Sequence, residues 1–224
     1  MTDQKARVSW RDDAVPVSDM FDDPYFSLHN GLAETEHVFL AGNDLPARFE
    51  VGFHIAELGF GTGLNLLAAW RAWEEAGHKT PLTFTSFEAF PMEQQEMARA
   101  LAAFPELEPW SSRLLSQWNG ATLVEFDTLR LNLVLGDARK TLPQWRGQAD
   151  AWFLDGFSPA KNPELWEEAL MQAVADHTKP GGTVATYTAA GFVRRGLEAA
   201  GLQVERCTGF GHKRHMTRAA RGEP

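Results

Sequence analysis

Seven residues, Glu57-Leu58-Gly59-Phe60-Gly61-Thr62-Gly63, limit what this chain can fold into more than any other stretch. They follow the apolar run from Phe53 to Glu57 and precede Leu64 to Glu75, where apolar residues recur at helical spacing. A strand, a turn with glycine at alternate positions and a helix make the opening of an α/β unit. Its backbone can approach a ligand closely, because glycine has no Cβ to hold the ligand off. The later sequence continues the alternation. Leu82 to Phe87 reads as a strand ending at Glu88, Pro91 as the first turn of a helix running through Phe104, and Pro105 to Trp118 as another helix. Thr122 to Phe126 and Arg130 to Leu135 form a hairpin that ends at Gly136-Asp137, and Ala149 to Leu154 is a buried strand followed by an irregular segment to Pro163. Glu164 to His177 is helical, Gly181-Gly182 breaks it, and Thr183 to Thr188 is a strand. A helix over Phe192 to Ala200 and strands near Leu202 to Cys207 and Lys213 to Arg218 complete a mostly parallel sheet covered on both faces. The first fifty residues do not fit this pattern. Asn30-Gly31, between Tyr25-Phe26 and Val38-Phe39-Leu40, predicts a hairpin in a β-rich cap, a lid beside the active edge.

Composition removes several classes of function. At 224 residues the chain suits one α/β domain, with residues 1–50 as a cap on a body over 51–224 in one compact unit. Met1 to Trp10 is polar and no apolar run approaches the roughly 20 residues of a membrane span, so a cytoplasmic protein without a membrane partner is expected. Cys207 is the only cysteine, which excludes an intrachain disulfide and a cysteine-based zinc site; it is expected as a small buried residue on a late strand. His212 and His215, three apart on a strand, would point to opposite faces, so no metal is expected. The net charge of −9 argues against a protein that coats nucleic acid. Yet Gly191 to Pro224 carries seven Lys/Arg against three Glu, which fits a basic face for RNA or equally a solvated helix and strand end.

Two cofactor classes compete for the glycine loop. The dinucleotide fingerprint G-x-G-x-x-G would need Gly or Ala at position 64, where Leu64 stands. The observed E-x-G-x-G-x-G resembles the first motif of class I methyltransferases, in which the loop wraps the methionine part of S-adenosylmethionine. On that reading Glu57, Gly59, Phe60, Gly61, Thr62 and Gly63 are cofactor contacts. Glu88, 25 residues past the loop, can accept hydrogen bonds from both ribose hydroxyls, and Asp137 with Ala138 sits where an acid commonly meets the adenine amino group. Each acid alone could equally be a solvated strand end; three acid-bearing turns at successive strand carboxyl ends favour a ligand edge.

The segment Asp150 to Pro163 delivers Asp155 from an apolar strand into a Gly/Pro-rich loop with Phe157. It looks like the fourth motif of amino-group methyltransferases. When an amine attacks a sulfonium methyl, positive charge moves to nitrogen, so a carboxylate beside nitrogen stabilises the transition state, and Asp155 is the catalytic candidate. An alkyl amine with a pKa of about 10 is mostly protonated at neutral pH, so Asp155 must also accept or relay a proton. The alternative is an Asp that only caps the turn.

Phe21 to Ser27, Asn30 to Thr35, Gly59 to Asn65, Asp150 to Pro163, Ala190 to Leu197 and Gly209-Phe210-Gly211 with Lys213-Arg214 closely resemble the methyltransferase domain of the MnmC family, which acts in 5-methylaminomethyl-2-thiouridine biosynthesis in tRNA. The resemblance runs from about Trp10 to Met216. It implies a class I, Rossmann-like S-adenosylmethionine-dependent methyltransferase, with a β-rich cap, that methylates the aminomethyl group of the wobble uridine in the tRNA anticodon region. MnmC proteins commonly continue into a flavin-dependent oxidase domain that makes the primary amine. No second dinucleotide fingerprint occurs here, so no FAD is expected and a separate flavin oxidase would act upstream. Phe157 is then a candidate to stack on the target base, and Lys161, Arg194, Arg195, Lys213 and Arg214 are candidate phosphate contacts. Two rivals remain: a nicotinamide-dependent oxidoreductase, disfavoured by Leu64, and a noncatalytic RNA-binding module that kept the fold.

Overall fold

The computed structural model describes residues 5–27, 30–119 and 121–223. The chain opens with a small antiparallel sheet of β1 (Val8–Arg11), β2 (Val15–Ser18) and β3 (Asp23–Pro24). Val15 and Val17 are buried where this sheet rests on the body, and Trp10 fastens it there: its Nε1 donates to Glu96 at 2.9 Å while the Arg99 guanidinium lies 3.9 Å over its ring. Asn30-Gly31 does not make the expected hairpin. Asn30 Oδ1 accepts from the Ala33 N–H at 2.9 Å and caps α1 (Gly31–Thr35), which continues through a π turn at Glu36–Leu40 and a 3-10 turn at Ala41–Asn43. Asparagine serves as N-cap as readily as it turns a hairpin. Leu32, Thr35 and Phe39 recur at helical spacing and are buried, which settles the choice for helix. The cap is therefore β-rich only in its first half.

The main body comprises β4 (His54–Leu58), α2 (Leu64–Glu75), β5 (Leu82–Glu88), α3 (Gln94–Leu101), α4 (Glu108–Gln117), β6 (Leu123–Phe126), β7 (Leu129–Leu135), α5 (Ala138–Thr141), β8 (Ala149–Leu154), α6 (Glu168–Asp176), β9 (Thr178–Thr186), α7 (Gly191–Ala199), β10 (Gln203–Thr208) and β11 (His215–Ala220). The eight strands lie in the order β10-β11-β9-β8-β4-β5-β7-β6, and β7, β5, β4, β8 and β9 run parallel. Alternate residues of these strands feed two cores. Ile55, Phe84 and Phe153 pack with Trp70 and Trp73 of α2 on one face, while Ala56, Leu58, Trp152 and Leu154 pack with Leu170 and Met171 of α6 on the other. Burial on both faces is what makes these strands read as continuous apolar runs.

The winding places the site. From β4 the chain steps outward through β5 to β7, then returns to β8 on the other side of β4. Between β4 and β8 the helices that follow the strands leave in opposite directions, so a crevice opens at the strands' carboxyl ends. The residues immediately after these two strands are Gly59 and Asp155.

Several local expectations differ from the structure. Pro91 does not open a helix: its carbonyl accepts from the Ala6 N–H at 3.2 Å, and α3 begins only at Gln94. Gly181-Gly182 lies inside β9, where the register against β8 shifts between Ala149 and Ala151. A Cβ on Gly182 would stand 2.8 Å from the Lys179 carbonyl, so glycine serves an irregularity in the strand and α6 ends earlier, at Asp176. Lys213 and Arg214 precede β11, in a turn closed by the Lys213 N–H on the Phe210 carbonyl at 3.0 Å. His212 shares that turn, so the two histidines do not sit on one strand as expected. Cys207, on β10, is half-buried rather than buried.

Candidate active site

The carboxyl ends of β4, β5 and β8 and the start of α5 open into a cavity of about 1360 Å³, roofed by cap residues from Lys5 to Ser27. Drug-sized ligands usually occupy about 300–1000 Å³, so this space can hold a nucleoside cofactor together with part of a second substrate. Among the described residues no helix is long and apolar enough to cross a membrane, and no group of three or more His, Cys, Asp or Glu converges as a metal site.

The glycine loop forms one wall. Gly59 has φ +88°, and a Cβ there would stand 2.6 Å from the Asp155 carbonyl oxygen. The Asp155 N–H in turn donates to the Leu58 carbonyl at 3.1 Å, so the glycine allows the two strand ends to close on each other. Gly61, at φ +55°, faces the Tyr25 ring of the cap, which a Cβ would meet at 3.2 Å. Phe60 stacks on Trp118 with centroids 5.1 Å apart, and Phe60 and Thr62 line the cavity although almost fully buried. Glu57 and Gly63 lie behind the wall. Glu57 is 1% exposed and accepts from Ser86 Oγ at 2.6 Å and from Asn65 Nδ2 at 3.0 Å. Burial drives its carboxyl well above the usual range against those two hydrogen bonds, with the charges of Asp155 and Glu88 adding to the rise. Its side chain braces the loop from beneath instead of facing the cavity, and Gly63 is the N-cap of α2.

Glu88 does face the cavity. One carboxylate oxygen accepts from the Gly61 N–H at 3.1 Å and the other from the Phe90 N–H at 2.7 Å, and each oxygen keeps a second lone pair. Asp137 and Ala138 line the same end. Asp137 caps α5 through the Arg139 N–H at 3.0 Å, and the Arg139 side chain holds its carboxyl below the usual range with Nη2 at 2.8 Å. Arg139 also pairs with Glu164 at 3.1 Å.

Asp155 stands at the centre. Its carboxylate accepts from Asn65 Nδ2 at 2.6 Å, and Asn65 Oδ1 accepts from Thr35 Oγ1 at 2.8 Å. One buried amide thus ties the glycine loop, the β8 carboxylate and the cap. Burial raises Asp155 to about 7; the Asn65 hydrogen bond and the Lys213 charge oppose the rise, and Glu34 adds to it. A carboxyl poised near neutrality can hold charge or take a proton, as acid–base work at pH 7 requires.

The opposite wall comes from the loop after Asp155 and the cap. Phe157 lines the cavity, stacked on Phe21 with centroids 4.8 Å apart and 26° between planes, and edge-on to Tyr25 at 5.0 Å. Asp23 accepts from the Ser158 N–H at 2.7 Å, and Lys161 pairs with Asp22 at 2.7 Å at the rim, outside the cavity lining. Lys213 reaches inward instead of standing free for phosphate: its Nζ lies 2.7 Å from Glu34 and 4.2 Å over the Tyr187 ring. Arg194 and Arg195, in the middle of α7, and Arg214, exposed in the β10–β11 turn, do not line the cavity. Sequence reasoning missed Asn65, Glu34 and Tyr187 as parts of the site. Only Asn65 left a signal, a polar side chain inside the apolar run Leu64 to Ala69.

Comparison with known proteins identifies the family of this fold. A profile of the family described as S-adenosyl-L-methionine-dependent methyltransferase matches residues 104–222. The chain is 46% identical to the tRNA 5-methylaminomethyl-2-thiouridine biosynthesis bifunctional protein MnmC of Chromobacterium violaceum, over 97% of this chain and 34% of that protein. It is 47% identical to the protein of the same name from Pseudomonas aeruginosa, over 95% of this chain and 34% of that one. The chain thus spans about a third of the length of these relatives. A crystal structure of MNMC2 from Aquifex aeolicus superposes with a TM-score of 0.78 at 27% identity, covering 99% of this chain and 72% of that one. Spermidine synthase from Thermotoga maritima shares the fold, with a TM-score of 0.58 at 13% identity over 97% of this chain and 73% of its own. With its Rossmann-like sheet, antiparallel cap and glycine loop at the switch point, the chain belongs to the S-adenosyl-L-methionine-dependent methyltransferase family.

Proposed function

We propose that this chain methylates a primary amine, the aminomethyl group on the wobble uridine or 2-thiouridine of a tRNA anticodon, giving the 5-methylaminomethyl nucleoside. The observation that carries the reading is Asp155, a carboxyl near neutrality at the switch point of a methyltransferase sheet, inside a cavity with room beyond the cofactor's volume. The relatives' name supports the substrate: their product bears a methylamino group, and within that biosynthesis a methyltransferase supplies the methyl on nitrogen.

S-adenosylmethionine, when bound, supplies a methyl group on a positively charged sulfur, which becomes a thioether as the amine nitrogen takes the methyl. In this reading Gly59, Phe60, Gly61 and Thr62 lie against the methionine and sugar parts, Glu88 accepts from the ribose hydroxyls through its unused lone pairs, and Asp137 with the Ala138 backbone meets the adenine edge. The fit is supported by the glycine loop, whose residues Gly59 to Thr62 line the cavity, and by three carboxylates, Glu88, Asp137 and Asp155, that line it with them. Glu57 holds the loop in shape from behind. Asp155, as the carboxylate, takes a proton from the incoming ammonium and passes it on to solvent in the cavity, so that nitrogen presents a lone pair, and the regenerated carboxylate then stabilises the positive charge that arrives on nitrogen. Phe157 and Phe21 offer aromatic faces for the uracil ring, which enters by parting that stack. Arg194, Arg195 and Arg214, with Lys161 at the rim, are the basic groups offered to RNA phosphates, with the reaction set in the cytoplasm. The primary amine is supplied by a flavin-dependent oxidase activity acting earlier.

The test is incubation with labelled donor and tRNA carrying the unmethylated aminomethyl uridine, followed by nucleoside analysis. Label in 5-methylaminomethyl(-2-thio)uridine is expected; donor binding without transfer to that nucleoside would refute the assignment.

A further inference from the structure

Lys213 and Glu34 lie 179 residues apart in sequence and meet in the wall of the cavity that holds Asp155. The ammonium has two partners that fix its place: the Glu34 carboxylate at 2.7 Å and the face of Tyr187 at 4.2 Å. Tyr187 is itself immobilised, since its hydroxyl donates to the Gly156 carbonyl at 2.8 Å, one residue beyond Asp155. Burial, then the Asp155 charge, keeps that hydroxyl protonated, so Tyr187 is a platform and not a base. Glu34 is 12% exposed and Lys213 47%, so the carboxylate is an inner charge and the lysine bridges from solvent to the cavity wall.

We propose that the Glu34–Lys213 pair is a positioning device that sets the charge on Asp155, the lysine favouring the carboxylate and the glutamate favouring the protonated acid. This rests on the reading of Asp155 as the group facing the amine. The charged and titratable groups about Asp155 are Glu34 of α1 and Lys213 of the β10–β11 turn, which line the same cavity, Tyr187 of the loop after β9, whose hydroxyl donates to the next residue, Gly156, and Glu57, which shares with Asp155 the Asn65 amide donor from α2. Lys213 is the cation of this set. A lone carboxylate in such a pocket would stay protonated at neutral pH and could not relieve an ammonium of its proton; a fully paired one would hold charge but accept no proton. A lysine restrained by a second carboxylate gives an intermediate state, and the pair lets each member be tested with opposite sign.

The experiment compares Lys213→Met, Glu34→Gln, the double variant and Lys213→Arg with the parent chain. Two quantities are read: the acid limb of kcat/KM for the aminomethyl-tRNA, and the titration of the Asp155 carboxyl by 13C NMR in the ligand-free protein, assigned through Asp155→Asn. Removing the cation moves the titration and the limb up by about one pH unit, so the rate at pH 6 falls about tenfold. Glu34→Gln moves both down by about one pH unit, the double variant falls between, and Lys213→Arg keeps the parent value. A pair that only latches the cap to the C-terminal turn would lose activity in both single variants with no opposed movement. Shifts of the same sign, or a fixed carboxyl titration in both, would overturn the inference. The NMR titration separates this from the reading it rests on: opposed carboxyl shifts uphold the electrostatic pairing even if Asp155→Asn retains turnover, a result that would remove Asp155 from the chemistry.

Discussion

Asp155→Asn separates the cost of holding a carboxylate in this site from its use. The side chain titrates near 7 instead of its ordinary 3.8, a displacement of about three pH units. At 1.36 kcal/mol per unit this sets a ceiling of about 4 kcal/mol on the destabilisation of the folded state by the charge. The carboxyl opens on a solvated cavity, so we expect about half, ~2 kcal/mol. The sign follows from linkage: an acid whose folded value is raised binds its proton more tightly in the native state, so stability falls as pH rises from about 4 to about 7 and is level above. Asparagine keeps an oxygen to accept from Asn65 and carries no charge. The variant is therefore expected to be more stable than the parent by ~2 kcal/mol at pH 8, equivalent to about 4–8 °C in Tm for a chain of this size, with the gain shrinking toward pH 5. Urea unfolding at pH 5.5 and pH 8 measures the difference, and isothermal titration with S-adenosylmethionine checks that the cofactor still binds. Turnover is expected to drop about 10²–10³-fold, the usual cost of losing a group aimed at developing charge. A variant no more stable at pH 8 than at pH 5.5 relative to the parent would refute the electrostatic account, and unchanged turnover with intact binding would refute the catalytic one.

Gly59→Ala is expected to destabilise the fold by about 2 kcal/mol or more and to abolish cofactor binding in calorimetry, because a Cβ at φ +88° would meet the Asp155 carbonyl at 2.6 Å. Glu57→Gln should change unfolding free energy at pH 7 by less than about 1 kcal/mol, since burial already favours the neutral acid, whereas Glu57→Ala should cost about 2–3 kcal/mol by stranding Ser86 and Asn65; equal losses in urea unfolding would contradict this. Phe157→Ala removes the ring that Phe21 and Tyr25 pack against, and should raise KM for tRNA at least tenfold while leaving the dissociation constant of S-adenosylmethionine within about threefold; an unchanged KM would count against base stacking there.

Much of the architecture is local and so could be read along the chain. The limits of α2 and β8, the glycine loop between strand and helix, and the acids at strand ends depend on residues within a few positions of each other, where periodicity and turn chemistry decide. Asn30 shows the limit of that logic: the same residue caps a helix or turns a hairpin, and burial of Leu32 and Phe39 against the sheet chose the helix. Pro91 likewise suits a helix start until Ala6 claims its carbonyl from 85 residues away.

The sequence by itself determined that a nucleotide-type turn follows the first strand of the body, because three glycines in seven residues leave little choice of backbone path, and its spacing with Leu64 favoured S-adenosylmethionine over a dinucleotide. The tertiary structure alone decided which charges meet. Lys213, an apparent phosphate contact by sequence, is drawn inward by Glu34 and Tyr187, and Glu57, an apparent cofactor contact, turns away beneath the loop to Ser86 and Asn65. Electrostatic partners and burial depend on distances through space, and the winding of the sheet, rather than spacing along the chain, brings α1, the glycine loop, Asp155 and the β10–β11 turn around one cavity.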